Sequence, residues 1–309
     1  MVLQSVWLVL LLVGPAAVAY AAGYDLIAHY AVLGAVLAFH LGIYARRLAT
    51  FGLLIPFVYA AAAVTANFTD GVAALIIAVA AATGAASSLG YHRALLAVLA
   101  AVLIGSYEPA TPEEVAHRSL AMFAGCAYGV LVVHTVARSV AVRSVAVSSD
   151  TALGYSILLA VLVTAAWFAA RAAEVDAVWW LPLAVAALGE PWLDGTPGRA
   201  VTRLAFALVA TLLVLTLLDP IMEPALRASC AGVLLLALVL AGRERPWLHG
   251  FLFTPVLVLL AADDRNYPPE HYIGGALLAF GAVAVITLLG KGVLWTLRPD
   301  SGHAVAGTS

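Results

Sequence analysis

"LIAHYAVLGAVLAFH", residues 26–40, decides the fold class. No Asp, Glu, Lys or Arg interrupts it, and nine apolar or small residues separate the His29–Tyr30 pair from His40. Extended to residue 44, the run reaches the ~20 residues that an α-helix needs to cross the bilayer core. We therefore predict a transmembrane helix over residues 26–44.

The composition of the whole chain agrees with this prediction. Of its 309 residues, 64% are hydrophobic and 10% are charged, and the net charge is −2. A soluble domain carries about 25% charged residues, so this chain lacks the polar side chains to cover a water-facing surface. Its apolar runs are also longer than the strands of a membrane β-barrel, which alternate over ~10 residues. We predict an all-α, polytopic membrane protein.

Apolar runs of similar length recur along the chain, separated by short polar loops. The first run has no basic segment before it, so we interpret it as a retained span rather than a signal peptide. Twelve candidate spans result, in two sets of six: 2–22, 26–44, 49–66, 71–89, 92–106 and 117–137, then 152–171, 177–192, 200–218, 225–241, 248–262 and 271–296.

The charged residues sort between the two sets of loops that twelve spans create. Eleven of the 15 basic residues fall in even-numbered loops or the C-terminal tail, and twelve of the 17 acidic residues fall in odd-numbered loops. Loops rich in Lys and Arg stay in the cytoplasm. We therefore predict a multi-pass protein of the inner cell membrane with both termini in the cytoplasm.

Loops of similar chemistry follow one another in the same order in the two halves. A basic turn, "YARRLATFG" (44–52), matches "PGRAVTRLAF" (197–206), and an acidic, Pro-containing loop, "SYEPATPEE" (106–114), matches "DDRNYPPEH" (263–271). Because each half holds an even number of spans, both halves would insert in the same direction, as a parallel repeat. The predicted domains are residues 1–146 and residues 147–309, one six-span repeat each.

The second half contains "VDAVWWLPLAVAALGEPWLDGTPGRAVTRLAFALVATLL" over residues 175–213. This segment resembles the core of the fusaric-acid-resistance-like (FUSC) superfamily, which includes the aromatic acid exporters. Trp180 enters a span, Glu190 and Pro191 end it, and Arg203 opens the next one, as in the family pattern. Phe206 departs from that pattern, which has Gly there, and Glu190 replaces the usual Gln.

A later segment, "FLFTPVLVLLAADD", is similar to a Thr-Pro span of the same family, with Thr254 and Pro255 in the matching positions. The resemblance implies an inner-membrane permease that exports amphipathic or aromatic organic anions. The large cytoplasmic domain of many family members has no counterpart in this sequence.

Arginines and aromatic residues at span ends are the candidates for substrate binding. A guanidinium group matches the geometry of a carboxylate, and aromatic side chains offer stacking surfaces. The alternative is that the arginines are positive-inside anchors and the aromatics form an interfacial belt. The predicted substrate-binding residues are Arg203, Arg47, Trp179, Trp180, His29 and Tyr30.

Two polar residues near the cytoplasmic ends of spans are the candidates for proton coupling. Glu190 follows an apolar run, and carboxylates at membrane depth often mark ion or proton paths. His40 is the corresponding residue in the first half, and histidine titrates near neutral pH. The alternative for both is an ordinary solvated or structural position at a span end.

Several function classes lack support in the sequence. There is no P-loop, no metal-ligand spacing and no redox cysteine pair, so we predict no cofactor and no metal. The sequence contains no basic patch with interleaved aromatic residues, so nucleic-acid binding is not predicted. It also contains no nucleophile with an adjacent base, so an enzyme is not predicted. The expected partners are a small organic anion and membrane lipids, and a second copy of the chain or an envelope-complex partner is left open.

Two alternative functions remain at this stage. One is a non-transporting subunit or scaffold of an envelope or lipid-handling complex, which compact loops would suit. The other is a polytopic lipid- or glycosyl-transferase that uses an acid pair, Glu113–Glu114 or Asp263–Asp264.

The glycines of the last span in each half, Gly125 and Gly129 among them, are interpreted as positions of close helix packing.

Overall fold

A computed structural model describes residues 21–107, 110–136 and 146–172, together with scattered residues between 7 and 19 and between 179 and 186. The regular secondary structure in these ranges is helical. In chain order the helices are α1 (Asp25–Tyr44), a 3₁₀ helix (Arg46–Leu54), α2 (Ile55–Thr65), α3 (Thr69–Ala85), a second 3₁₀ helix (Ala86–Leu89), α4 (His92–Gly105), α5 (Pro112–Thr135) and α6 (Ser149–Ala172).

Within this part of the chain, five helical segments are long and apolar enough to cross a membrane. They are Leu26–Tyr44, Arg46–Thr65, Thr69–Leu89, Pro112–Thr135 and Ser149–Ala172. The prediction of an α-helical membrane protein is confirmed for the described residues. The predicted spans from 26–44 to 152–171 each fall on one of these helices or on α4, whereas 200–218, 225–241, 248–262, 271–296 and most of 2–22 and 177–192 lie outside the described residues.

Large apolar side chains point away from the bundle on several helices. Leu120 is 69% exposed, Leu153 63% and Phe57 63%. A soluble protein keeps such exposed apolar patches small. Their position on the outside of long apolar helices is what contact with lipid acyl chains requires.

Helices α1 and α5 run parallel and approach each other through glycines. A methyl group added at Gly125 would collide with the carbonyl oxygen of Ala31, and one added at Gly129 would lie 2.5 Å from the carbonyl oxygen of Ala35. Between these two contacts the thiol of Cys126 donates to the carbonyl oxygen of Gly34 at 3.3 Å. The prediction of close packing at Gly125 and Gly129 is confirmed, and small residues at such interfaces are typical of membrane helices.

Two other helix pairs are joined in the same way. Gly84 of α3 lies directly against the backbone of Ser156 in α6, and the Ser156 hydroxyl donates to the carbonyl oxygen of Ala81 at 2.6 Å. Gly105, the last residue of α4, lies against the carbonyl oxygen of Tyr59 in α2. Any side chain larger than hydrogen at Gly84 or Gly105 would push these helices apart.

Helix α4 lies at the centre, packed against α1, α2 and α3. Leu99, Ala101 and Leu103 are fully buried on it. Its 14 residues rise about 21 Å, which is roughly 9 Å less than the hydrocarbon core of a bilayer. Helix α4 is shorter than α1 and α3, which have 20 and 17 residues, and longer than α2, which has 11.

Two helices depart from the predicted boundaries for local reasons. The predicted span 49–66 is not one α-helix: residues 46–54 are 3₁₀, and the α-helix begins at Ile55 with Pro56 in its first turn, where the missing N–H of proline is tolerated. Helix α5 begins at Pro112 rather than at residue 117, because Thr111 and Glu114 form a capping box.

Candidate functional site

Polar and aromatic side chains gather at both ends of α4. We call the group at its N-terminal end the N-cluster, formed by His40, Tyr44, His92, Arg93 and Tyr155. We call the group at its C-terminal end the C-cluster, formed by His29, Tyr30, Tyr59 and Arg118.

In the N-cluster, the end of α1 is tied to the start of α4. Nε2 of His40 lies 2.8 Å from the backbone carbonyl oxygen of Arg93. Because a carbonyl oxygen only accepts, Nε2 carries the proton and donates. The His40 ring also lies 4.8 Å from the ring of Tyr44, centroid to centroid, and the Arg93 guanidinium carbon lies 5.9 Å from the Tyr44 ring centroid, at the outer limit of a cation–π contact.

The other side of the N-cluster joins α4 to α6. His92 is 3% exposed, and its ring meets the ring of Tyr155 edge-on at 6.2 Å. Ser87, in the 3₁₀ helix just before α4, is fully buried and its hydroxyl has no hydrogen-bond partner. Buried hydroxyl groups are normally hydrogen-bonded, so Ser87 is an exception within the described residues.

The positive charge of Arg93 at the start of α4 opposes the helix dipole. Its first turn contains no acidic residue and no side chain caps it, while His92 and Arg93 are its first two residues. A cation near a helix N-terminus is unfavourable, by about the 0.3–1 kcal/mol that an anion there would contribute. Asp150, in the first turn of α6, is exposed. A local conflict such as that between the charge of Arg93 and the helix dipole is expected at functional positions.

The C-cluster surrounds a buried pair of tyrosines. Tyr30 is 4% exposed and Tyr59 1%, and their ring centroids are 5.6 Å apart. The guanidinium carbon of Arg118 lies 5.6 Å from the Tyr30 ring centroid, and the His29 ring meets Tyr30 at 5.4 Å. A half-buried guanidinium group beside aromatic rings can pair with a carboxylate and offer a stacking surface to its apolar body.

The structure gives the predicted site residues different surroundings. His29 and Tyr30 are together in the C-cluster, and His40 belongs to the N-cluster, whereas Arg47 is exposed on the first 3₁₀ helix. Trp179 is half-buried and packs against the main hydrophobic core. The remaining predicted site residues, Trp180, Glu190 and Arg203, lie outside the described residues.

Sequence reasoning missed the arginines that accompany these residues. Arg93 and Arg118 stand at the starts of the predicted spans 92–106 and 117–137 but were not among the predicted site residues; Arg93 lies in the first turn of α4 and Arg118 in the second turn of α5. The capping signal at residues 111–114 would have moved the start of α5 toward the N-terminus and placed Arg118 one turn deeper in the helix. No signal in the sequence pairs Arg93 with His40.

One of the two acids at residues 113–114 has a structural role. The Glu114 carboxylate accepts from the backbone N–H of Thr111 at 2.8 Å and from its hydroxyl at 3.0 Å, while Glu113 is exposed. One of the two carboxylates that a transferase mechanism would use is therefore engaged in capping α5. Within the described ranges, no three His, Cys, Asp or Glu residues are grouped so that they could hold a metal ion.

Comparisons with protein-family models, with curated proteins and with solved structures give no match for this chain. The resemblance of residues 175–213 to the FUSC superfamily stays a prediction drawn from those residues, most of which lie beyond the described part of the chain.

Proposed function

We propose that this protein is an inner-membrane permease for small organic anions. Its twelve spans would form two parallel repeats, residues 1–146 and 147–309, with both termini in the cytoplasm. The observation that supports this function best is the short, buried helix α4, which carries a polar, arginine-containing cluster at each end.

A short central helix suits a transport pathway. In this proposal the two clusters at the ends of α4 provide polar groups along the pathway. Ionisable groups within membrane spans are rare outside functional paths, and interrupted or short helices form the substrate sites of many transporters.

The charges favour an anion as the substrate. Arg93 stands at one end of α4 and Arg118 at the other, each with its guanidinium group near a tyrosine ring. In this proposal His29 and Arg118 lie at the outer end of the pathway, where both contact the buried ring of Tyr30. Arg203 and Arg47 attract the anion from the cytoplasm, Trp179 and Trp180 line the second half, and Glu190 and His40 couple export to protons.

The test is flux in proteoliposomes that contain the full chain. Uptake and efflux of benzoate, butyrate and succinate are measured with and without a pH gradient, for wild type, Arg203→Ala and Arg118→Ala. Arg171→Ala is the matched control, because Arg171 also lies over an aromatic ring, 4.9 Å from Trp167, but is exposed at the end of α6.

We expect saturable flux by the wild type, loss of flux in Arg203→Ala, and a KM raised about tenfold in Arg118→Ala, the loss expected for one charge-assisted hydrogen bond. Arg171→Ala should transport like the wild type. Absence of flux for every anion, with the protein folded and inserted, would contradict the permease and favour the non-transporting subunit.

A further inference from the structure

We infer that the first 3₁₀ helix and the start of α2 form a binding site for one anionic phospholipid. Arg46 and Arg47 hold the phosphate group of its headgroup, and the exposed side chains of Phe51, Leu54 and Phe57 contact its acyl chains. The inference goes beyond the proposed function and does not depend on it, because a lipid can bind here whether or not the chain transports an anion. In the proposed permease, this lipid would compete with the organic anion for Arg47.

The first observation is a pair of adjacent guanidinium groups at the end of a membrane span. Arg46 and Arg47 are the first two residues of the span Arg46–Thr65, and both are exposed. Within the described residues, neither side chain takes part in an ion pair, a hydrogen bond or a ring contact. Guanidinium groups form strong, often bidentate hydrogen bonds with phosphate oxygens. Both groups are therefore available to a headgroup that reaches the end of this span.

The helices packed against the first 3₁₀ helix place none of their described acids beside this pair. These helices are α1, α2 and α5. Helix α2 contains no acidic residue, and the acids of α1 and α5 stand in their first turns, at Asp25, Glu113 and Glu114. A methyl group added at Gly52 would lie 3.4 Å from Val130 of α5, which is about 24 Å along the helix from Glu114. Two positive charges so far from these acids attract an anion.

The second observation is a row of large apolar side chains that leads away from the arginines. A 3₁₀ helix has three residues per turn, so Phe51 and Leu54 lie on the same face. Phe51 is 55% exposed, Leu54 52%, and Phe57, in the first turn of α2, 63%. The Phe57 ring meets the ring of Phe123 in α5 edge-on at 6.3 Å. We call Phe51, Leu54 and Phe57 the apolar row.

The spacing of the apolar row matches the depth of one leaflet. Along the helix axis, Phe51 lies about 8 Å from Arg47, and Phe57 lies about 18 Å from it. The headgroup region of a leaflet is roughly 5–7 Å thick, and its hydrocarbon region is about 15 Å thick. With Arg47 at the headgroups, the row begins where the acyl chains begin and ends near the middle of the bilayer.

The combination of charge and apolar row defines the ligand. A dissolved anion such as phosphate would use the two arginines alone, whereas a zwitterionic lipid would use the apolar row but bring no net charge. An anionic phospholipid matches both parts of the site. Basic residues at a membrane surface attract such lipids, with a contribution that corresponds to about fivefold in affinity for each Lys or Arg.

The experiment cross-links the protein to lipid from within the apolar row. The full chain, with photo-reactive benzoylphenylalanine in place of Phe51, is reconstituted into vesicles of phosphatidylglycerol and phosphatidylcholine with identical acyl chains and equal mole fractions. After irradiation, mass spectrometry of the protein measures the ratio of phosphatidylglycerol to phosphatidylcholine adducts. The same ratio is measured for Arg46→Gln, Arg47→Gln and the double variant, each with the same probe.

Two controls separate this site from the rest of the surface. The matched probe replaces Phe68, which is 68% exposed and lies between α2 and α3, at the opposite end of α2 from the arginine pair. Arg171→Gln removes an exposed arginine from the end of another span, α6, and leaves the pair intact. Both controls are measured in the same vesicles.

We expect phosphatidylglycerol adducts at the Phe51 probe to exceed phosphatidylcholine adducts by about tenfold or more, since two arginines contribute. Each single variant should lower the ratio about fivefold, and the double variant should bring it close to one. Arg171→Gln should keep the wild-type ratio. The Phe68 probe should give a ratio close to one.

Three results would overturn the site. The first is a ratio close to one at the Phe51 probe, or a ratio that the double variant leaves unchanged. The second is equal enrichment at the Phe51 and Phe68 probes, which would show that anionic lipid gathers around the whole protein. The third is loss of the enrichment when excess inorganic phosphate is added at constant ionic strength, which would show that a free anion takes the pair. If the double variant does not insert, the two single variants decide.

Discussion

Replacing Gly125 by alanine should separate helices α1 and α5. The added methyl carbon would overlap the carbonyl oxygen of Ala31 and stand 2.7 Å from the carbonyl carbon and 2.9 Å from the Cα of the same residue. Carbon atoms in contact normally lie about 3.5–4.0 Å apart, so the two helices would have to move apart by roughly 1 Å. The obstacle is backbone, which cannot rotate away as a side chain can.

The expected loss of stability follows from two opposing terms. Overpacking of this kind destabilises by about 1–3 kcal/mol, and contact with backbone places Gly125→Ala near the upper end. Alanine is favoured over glycine inside a helix by about 0.8–1.0 kcal/mol. The net expectation is a loss of about 2 kcal/mol.

Gly154 provides the matched control. It lies within α6 and is exposed, and a methyl group added there would meet nothing within 4 Å. Gly154→Ala should therefore be neutral or stabilise by up to about 1 kcal/mol through helix propensity alone. The two variants make the same chemical change and differ in what the methyl group touches.

The assay is reversible unfolding in mixed micelles of dodecyl maltoside with increasing dodecyl sulfate, followed by tryptophan fluorescence and circular dichroism. A midpoint for Gly125→Ala equal to that of the wild type would refute the close approach of α1 and α5. Adding Ala31→Gly to Gly125→Ala should not restore stability, because the obstructing atoms of residue 31 are backbone. Full rescue by Ala31→Gly would show that a side-chain contact, not the backbone, determines the packing.

Three further predictions concern other contacts. Glu114→Ala should destabilise α5 by about 1 kcal/mol, whereas Glu114→Gln, which can still form a capping box, should stay close to wild type; equal midpoints for the two variants would contradict the cap. His40→Phe should lower stability by about 1 kcal/mol by removing the hydrogen bond to Arg93, and an unchanged unfolding midpoint would show that the bond does not join α1 to α4. Cys126, fully buried against α1, should react with a maleimide only after denaturation, and rapid labelling of the folded protein at this position would contradict the packing.

The centres of the helices could be predicted from the sequence, but some of their ends could not. The predicted span starts at residue 117, so residues 112–116, little more than the first turn of α5, were assigned to a loop. A capping box, not apolarity, sets that boundary. In the predicted span 49–66, the residues on both sides of Pro56 are apolar. Hydropathy therefore does not mark the change from 3₁₀ to α-helix, which occurs at Ile55.

The candidate site could be predicted only in part, because the order of the spans along the chain does not specify which helices pack against one another. His29, Tyr30 and His40 stand out as polar residues at the ends of an apolar run. Their partners, Arg118 and Arg93, come from the fourth and the third α-helix after α1, through the packing of α1 against α5 and α4.

Burial separates two basic positions that the sequence treats alike. Arg47 and Arg93 both stand in basic turns between apolar runs. The structure places Arg47 on an exposed 3₁₀ helix and Arg93 half-buried on the central one. A count of charges per loop cannot separate the two arginines, because the burial of each one depends on which helix lies at the centre of the bundle.

The most direct test of the central claim is benzoate efflux from proteoliposomes loaded with the labelled anion, under an imposed pH gradient. Wild type, Arg93→Gln and Arg118→Ala are compared, with Arg171→Ala as the control. If α4 with its two clusters lies on the path of an organic anion, efflux will be saturable, will depend on the gradient, and will fall in both cluster variants but not in the control. Efflux equal to that of empty liposomes, from wild-type protein shown to be folded and inserted, would contradict the account.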